Sequence, residues 1–107
     1  FDRVLNQATQ VLEVRIRTIA RYQGKETGPG LVSKVLNNDP TLALLRVSDD
    51  PAEQQGFANL CRGVMEFLRN SSHHTFKVTS RDDEAKVCVM VDYLLGVLAA
   101  SKLHGQP

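Results

Sequence analysis

Residues 50–70 read DPAEQQGFANLCRGVMEFLRN, and the spacing of the apolar residues in this stretch decides the fold class. Phe57, Leu60, Cys61, Val64, Phe67 and Leu68 follow one another at steps of 3, 1, 3, 3 and 1. Such steps gather side chains on one face of an α-helix and scatter them on a strand. Asp50 stands before the run as an N-cap, with Pro51 at the first helical position and Glu53 at the third. Asp49 is the alternative cap. The stretch predicts a helix from Pro51 to about Asn70 or a few residues beyond.

Downstream, the polar break Ser71 to Ser80 separates it from a further helix, about Arg81 to Leu103. Ser80 can cap that helix, with Asp83 three residues on completing a capping-box analogue. From Val87 onward the helix is apolar nearly all round. Val87, Cys88, Val91, Leu94, Leu95 and Leu98 form one face, and Val89, Met90, Tyr93 and Val97 a second. A helix with two apolar faces either sits at the centre of its own bundle or packs on a second chain or domain. In a domain this small the second arrangement is the expectation.

Upstream, Leu5, Ala8, Leu12, Ile16 and Ile19 recur at steps of three and four, which predicts a helix from Phe1 to about Tyr22. Arg21 in its last turn suits the helix dipole. Gly24, Gly28, Pro29 and Gly30 make continuation costly, so the helix is expected to stop within Gln23 to Gly30. A short helix, Leu31 to about Leu36, follows. Asn37 to Pro51 carries two turn signals, Asn37-Asn38-Asp39-Pro40 and Asp49-Asp50-Pro51. Leu42, Leu44, Leu45 and Val47 between them fold this loop over the core. A lone short strand there would have no partner of similar character, so the segment is read as loop. The reading is a small, all-α, antiparallel helical bundle.

The 107 residues, 42% hydrophobic and 23% charged, suit one compact domain over residues 1–107. A net charge of +1 excludes a strongly basic nucleic-acid-binding chain but leaves room for a local basic patch. With 6% aromatics and no tryptophan, a stacking platform for single strands is not expected. The longest apolar stretch, Val87 to Ala100, is interrupted by Asp92 and falls short of the ~20 residues that cross a bilayer. Nor is a signal peptide visible. Cys61 and Cys88 both fall in apolar helical patterns and read as reduced core thiols of an intracellular, cytoplasmic chain. Zinc-ligand spacings are absent, and no cofactor is expected. A chain that opens on Phe1 rather than Met reads as the C-terminal part of something longer.

One polar cluster stands apart: Arg69-Asn70-Ser71-Ser72-His73-His74, directly after the apolar Phe67 and Leu68. Arg69 offers a permanently charged fork for phosphate oxygens. Asn70 can donate an amide hydrogen bond to phosphate or ribose. A histidine can move a proton to or from a hydroxyl near neutral pH. With no metal ligands beside them in sequence, attack of a ribose 2′-hydroxyl on the adjacent phosphate is the natural reaction. Equally, the cluster can be a polar helix end in which Arg and His satisfy the last carbonyls. His104, near the C-terminus, reads as inert.

The order Arg69, Asn70 and His74 resembles the Arg-Asn-x-x-x-His signature of the HEPN superfamily, and the chain is similar to its Ymh-like prokaryotic family. The similarity runs through Leu12-Glu13-Val14-Arg15-Ile16-Arg17, Gly30-Leu31-Val32, Asp39-Pro40-Thr41-Leu42, Glu53 to Gly63 and Leu94-Leu95. It implies a HEPN-like bundle, dimeric, with two copies of the motif facing each other in one composite cleft. It also implies a metal-independent endoribonuclease serving as effector in antiphage defence or a toxin–antitoxin system. The apolar helix 81–103 would form the homodimer, and an upstream sensor domain or an antitoxin would be further partners. Carried over, Arg69 binds or polarises the phosphate, Asn70 positions it and His74 transfers the proton. Family members often carry Pro after Arg-Asn, where this chain has Ser71. In an unbroken helix Arg69 and His74 stand about 140° apart, whereas His73 shares a face with Arg69, so His73 rivals His74. Glu13 is the remaining candidate: it orients His74 or Arg69, or else forms a surface pair with Arg17 at i,i+4. A non-catalytic nucleotide- or RNA-binding module and a dimerisation module are the alternative functions.

Overall fold

A computed structural model describes the backbone of residues 2–71 and 80–106, and the side chains of residues 6–68 and 80–106. The described residues form four helices, α1 (Asp2–Ala20), α2 (Gly28–Val35), α3 (Pro51–Ser71) and α4 (Arg81–Ala99). They also form one small antiparallel sheet of β1 (Leu45–Arg46) and β2 (Lys102–Leu103). Helix α1 packs against α4, α3 and α2, and α2 lies on α3. Leu12 and Ile16 of α1 meet Leu31, Val32 and Val35 of α2, Ala58, Cys61, Met65 and Leu68 of α3, and Val91, Leu94 and Leu98 of α4 in one core. The mostly helical fold agrees with the apolar periodicity.

The helix ends carry most of the differences from expectation. Helix α1 stops at Ala20, ahead of the glycines. Arg21 takes a left-handed φ of 54°, Arg21 N donates to Thr18 O at 3.3 Å, and Tyr22 N donates to Arg17 O at 3.0 Å. These two bonds are those of a Schellman motif, with Arg in the position that glycine usually fills. Helix α2 starts at Gly28 rather than Leu31, because Gly-Pro here opens a helix instead of breaking one. Pro29 sits in the first turn, where its missing N–H has no helical partner to lose. Gly28 is buried with φ 56°, a conformation that any side chain would strain. At α3, Asp50 is the cap, its Oδ1 accepting from Ala52 N at 3.2 Å, while Asp49 pairs with Arg46 Nε at 3.1 Å. The Ser80 cap of α4 is as expected, its Oγ accepting from Asp83 N at 3.1 Å.

The loop before α3 is not all loop, and α4 ends four residues early. Leu45 pairs with Leu103 and Arg46 with Lys102. The partner strand lies at the far end of the chain, inside the stretch read as helix, so no local pattern announces it. Around this sheet, His104 N donates to Leu44 O at 3.0 Å and an Arg46 Nη2 donates to Gln106 O at 2.8 Å.

Gln54, fully buried at 0% exposure, ties the loop to α3. Its Oε1 accepts from Val47 N at 2.9 Å, and its Nε2 donates to Asn37 O and Leu45 O, both at 3.1 Å. Cys61 is a core thiol as expected, but Cys88 is exposed and corrects the expectation of two core thiols. The apolar run around Cys88 conceals its position, because α4 buries only the Val91, Leu94 and Leu98 stripe.

Candidate functional site

Arg69 and Asn70 occupy the last turn of α3, and the core residues Met65 and Leu68 anchor the turn before them. The side chains of Arg69 and Asn70, and the whole of His73 and His74, lie outside the described residues. The direction of α3 follows from its hydrogen bonds. Gln54 reaches Asn37, just past α2, while Arg62 Nη1 donates to Ser33 Oγ within α2 at 3.3 Å. The two helices therefore run antiparallel. The end of α3 that carries Arg69 and Asn70 points towards the end of α2 that begins at Gly28.

Glu13 is at that same end of α2. Its Oε1 accepts from Gly28 N at 2.8 Å, so a carboxylate from α1 caps the first turn of α2, whose own N-cap Thr27 makes no side-chain bond. Negative charge is favourable there, since the N-terminal N–H groups carry the positive end of the helix dipole. This capping role is one that the sequence did not announce. The signal that could have found it is an acidic residue on one helix paired with a Gly-Pro helix start that lacks a bonding cap of its own. Arg17, four residues on, has an Nη1 donating to Gly24 O at 2.7 Å and an Nη2 donating to Glu26 O. Its guanidinium lies 5.9 Å from the centre of the Tyr22 ring. Tyr22 Oη donates to Glu26, which holds the Glu26 carboxyl below its ordinary range and raises the phenol. The loop between α1 and α2 is thus bound back onto α1.

Two further features escaped the sequence. A groove of about 270 Å³ runs between α1 and α4, lined by Gln7, Ala8, Val11, Cys88, Val91, Asp92 and Leu95. It continues along α1 past Gln10, Val14 and Arg15. On the opposite helix pair, the Arg62 guanidinium also donates to Asn38 and Asn59, bridging α3 to the residues after α2. Burial pushes the Cys61 thiol up to about 12, so it stays protonated at neutral pH and serves packing. His104 is tied rather than frayed, its Nδ1 lying 3.3 Å from Ala43 O. No cluster of metal-ligating side chains occurs among the described residues, and no helix is long and apolar enough to cross a membrane.

A family model described as "Protein of unknown function (Hypoth_ymh)" matches residues 1–98. The chain belongs to this family. The match includes α1, α2, α3 and nearly all of α4, and with them the Arg69-to-His74 cluster. In this Ymh-family chain, β2 alone among the elements falls beyond the matched residues. Neither the curated proteins nor the solved structures contain a match.

Proposed function

We propose that this chain is a HEPN-type, metal-independent endoribonuclease domain, the effector of a bacterial antiphage-defence or toxin–antitoxin protein. The observation that carries the reading is the Arg69–Asn70 pair in the last turn of a core-anchored helix, inside the region that matches the Ymh family. Arg69 binds the scissile phosphate and Asn70 positions it. His74, with His73 as its rival, takes the proton from the 2′-hydroxyl. That oxygen attacks phosphorus as the bond to the 5′-oxygen breaks, and the departing oxygen is protonated, leaving a 2′,3′-cyclic phosphate and a 5′-hydroxyl. Protonated imidazole is favoured near a helix C-terminus. The exposed side of α4, with Val89 at 69% and Tyr93 at 66% exposure, supplies a homodimer contact that completes a composite cleft. An upstream sensor domain or an antitoxin would hold the activity in check.

The test is incubation of the protein with total tRNA and a structured mRNA in EDTA, beside an Arg69→Ala, His74→Ala double variant. Discrete fragments ending in cyclic phosphate, made by the wild type alone, are the expected result. Strict dependence on an added divalent metal would overturn the mechanism. Single His73→Ala and His74→Ala variants assign the proton-transfer residue. The net charge of +1 favours the second reading, a non-catalytic RNA- or nucleotide-binding or dimerisation module, because RNA affinity rests heavily on phosphate neutralisation. Under that reading the protein leaves RNA intact.

A further inference from the structure

Helix α3 contains two glycines that its own fold does not use. At Gly56 and at Gly63, no atom of the described residues lies within 4 Å of where a Cβ would stand, and both positions are exposed. Glycine weakens a helix interior, so a pair of them there calls for a reason. The same face carries two large apolar side chains, Leu60 at 46% and Phe67 at 49% exposure. At 100° per residue, Gly56, Leu60, Gly63 and Phe67 fall within about 60° of one another.

The order along this face is small, large, small, large, at intervals of four, three and four. Read from the other end, the intervals are unchanged while large and small residues trade places. We propose that α3 pairs with α3 of a second copy of this chain, antiparallel, about a two-fold axis between residues 61 and 62. In that register Leu60 of each copy faces Gly63 of the other, and Phe67 faces Gly56. Every large side chain then meets a position without one, and the backbones approach closely. A parallel pairing would set Leu60 on Leu60 and glycine on glycine. A foreign helix needs no such symmetry, which is why the occupant is a second copy.

The polar flank agrees. Asn59 comes level with Glu66 of the second copy. The Asn59 Oδ1 accepts from Arg62, leaving its amide N–H groups to donate to that carboxylate. The two Glu66 residues stand about 13 Å apart along the axis, so like charges do not meet. A single helix pair is smaller than a standard interface of about 800 Å² per partner, so the association depends on concentration. This contact is separate from the α4 dimer and independent of the ribonuclease reading. It sets the two α3 C-termini at opposite ends, so it joins dimers instead of building the composite cleft.

Sedimentation equilibrium of the reduced chain over a wide concentration range tests it, with thermal melts of dilute samples. The Gly56→Gln, Gly63→Gln variant fills both hollows with a better helix former and adds no apolar side chain. It should weaken self-association about tenfold or more while melting no lower than wild type. Leu60→Gln should weaken it as well, and Val89→Glu should leave it in place. Unchanged association of the glycine variant would overturn the proposal. So would a lowered melting temperature, which would assign the glycines to the chain's own packing, or a complete loss of association in Val89→Glu.

Discussion

At Gln54, one side chain holds three backbone groups that the core would otherwise leave without partners: Val47 N, Asn37 O and Leu45 O. Leaving a buried donor or acceptor unsatisfied costs about 1–3 kcal/mol per group. Water can enter on truncation and recover part of that. Gln54→Ala is therefore expected to lower stability by about 2–4 kcal/mol, read from urea unfolding. Gln54→Glu should be nearly as harmful, since it replaces the donor to both carbonyls with a charge. No sequence pattern marks this residue. It sits one step from Glu53 and Gln55 in a polar first turn, and only the loop folded over it makes it a core position. Glu13 is hidden in the same way, because its partner is a backbone N–H fifteen residues on.

Among the elements, helix starts proved easier to read than helix stops. Asp50 and Ser80 are short polar residues whose side chains reach back to the next turn, so their role is written within four residues of sequence. The stop of α1 rests on backbone geometry at an arginine, and arginine carries no such signal. That arginine is also a site for stabilisation. Holding a residue with a Cβ at φ 54° costs roughly 1 kcal/mol that glycine avoids, against glycine's greater freedom when unfolded. Arg21→Gly is expected to raise stability by about 0.5–1 kcal/mol, with an unchanged helix content by circular dichroism. A lower stability would mean that the Arg21 side chain holds the loop in place. The Gly-Pro start of α2 misleads for the opposite reason, because the same dipeptide ends one helix and opens another.

For the whole molecule, the face of α4 that carries Val89 and Tyr93 is the surface the sequence marked as surplus to one bundle, and both residues are exposed. Charge placed there costs little in a monomer and much in a buried interface. Val89→Glu with Tyr93→Glu should leave the melting temperature of dilute protein within a few degrees, abolish the α4 dimer by light scattering, and reduce cleavage of RNA. Full activity in a monomer would remove the composite cleft from the mechanism. The bundle itself was legible because helical periodicity is local. The sheet was not, since its two strands lie at opposite ends of the structured core. Of the candidate site, Arg69 and Asn70 were legible as residues at the end of a helix, and the α1–α4 groove was not, because a groove is a property of two helices at once.

Arg46 and Gln106 meet across 60 residues of chain. A contact of such long range closes late, after the local helices have gathered. Until it closes, Leu45 and Arg46 offer an open strand edge that any extended segment can match. The segment built to match it is residues 102–103, and every neighbouring chain emerging from synthesis carries the same one. Crowded refolding would therefore exchange tails between molecules, a domain swap that leaves each bundle intact and ties two of them together.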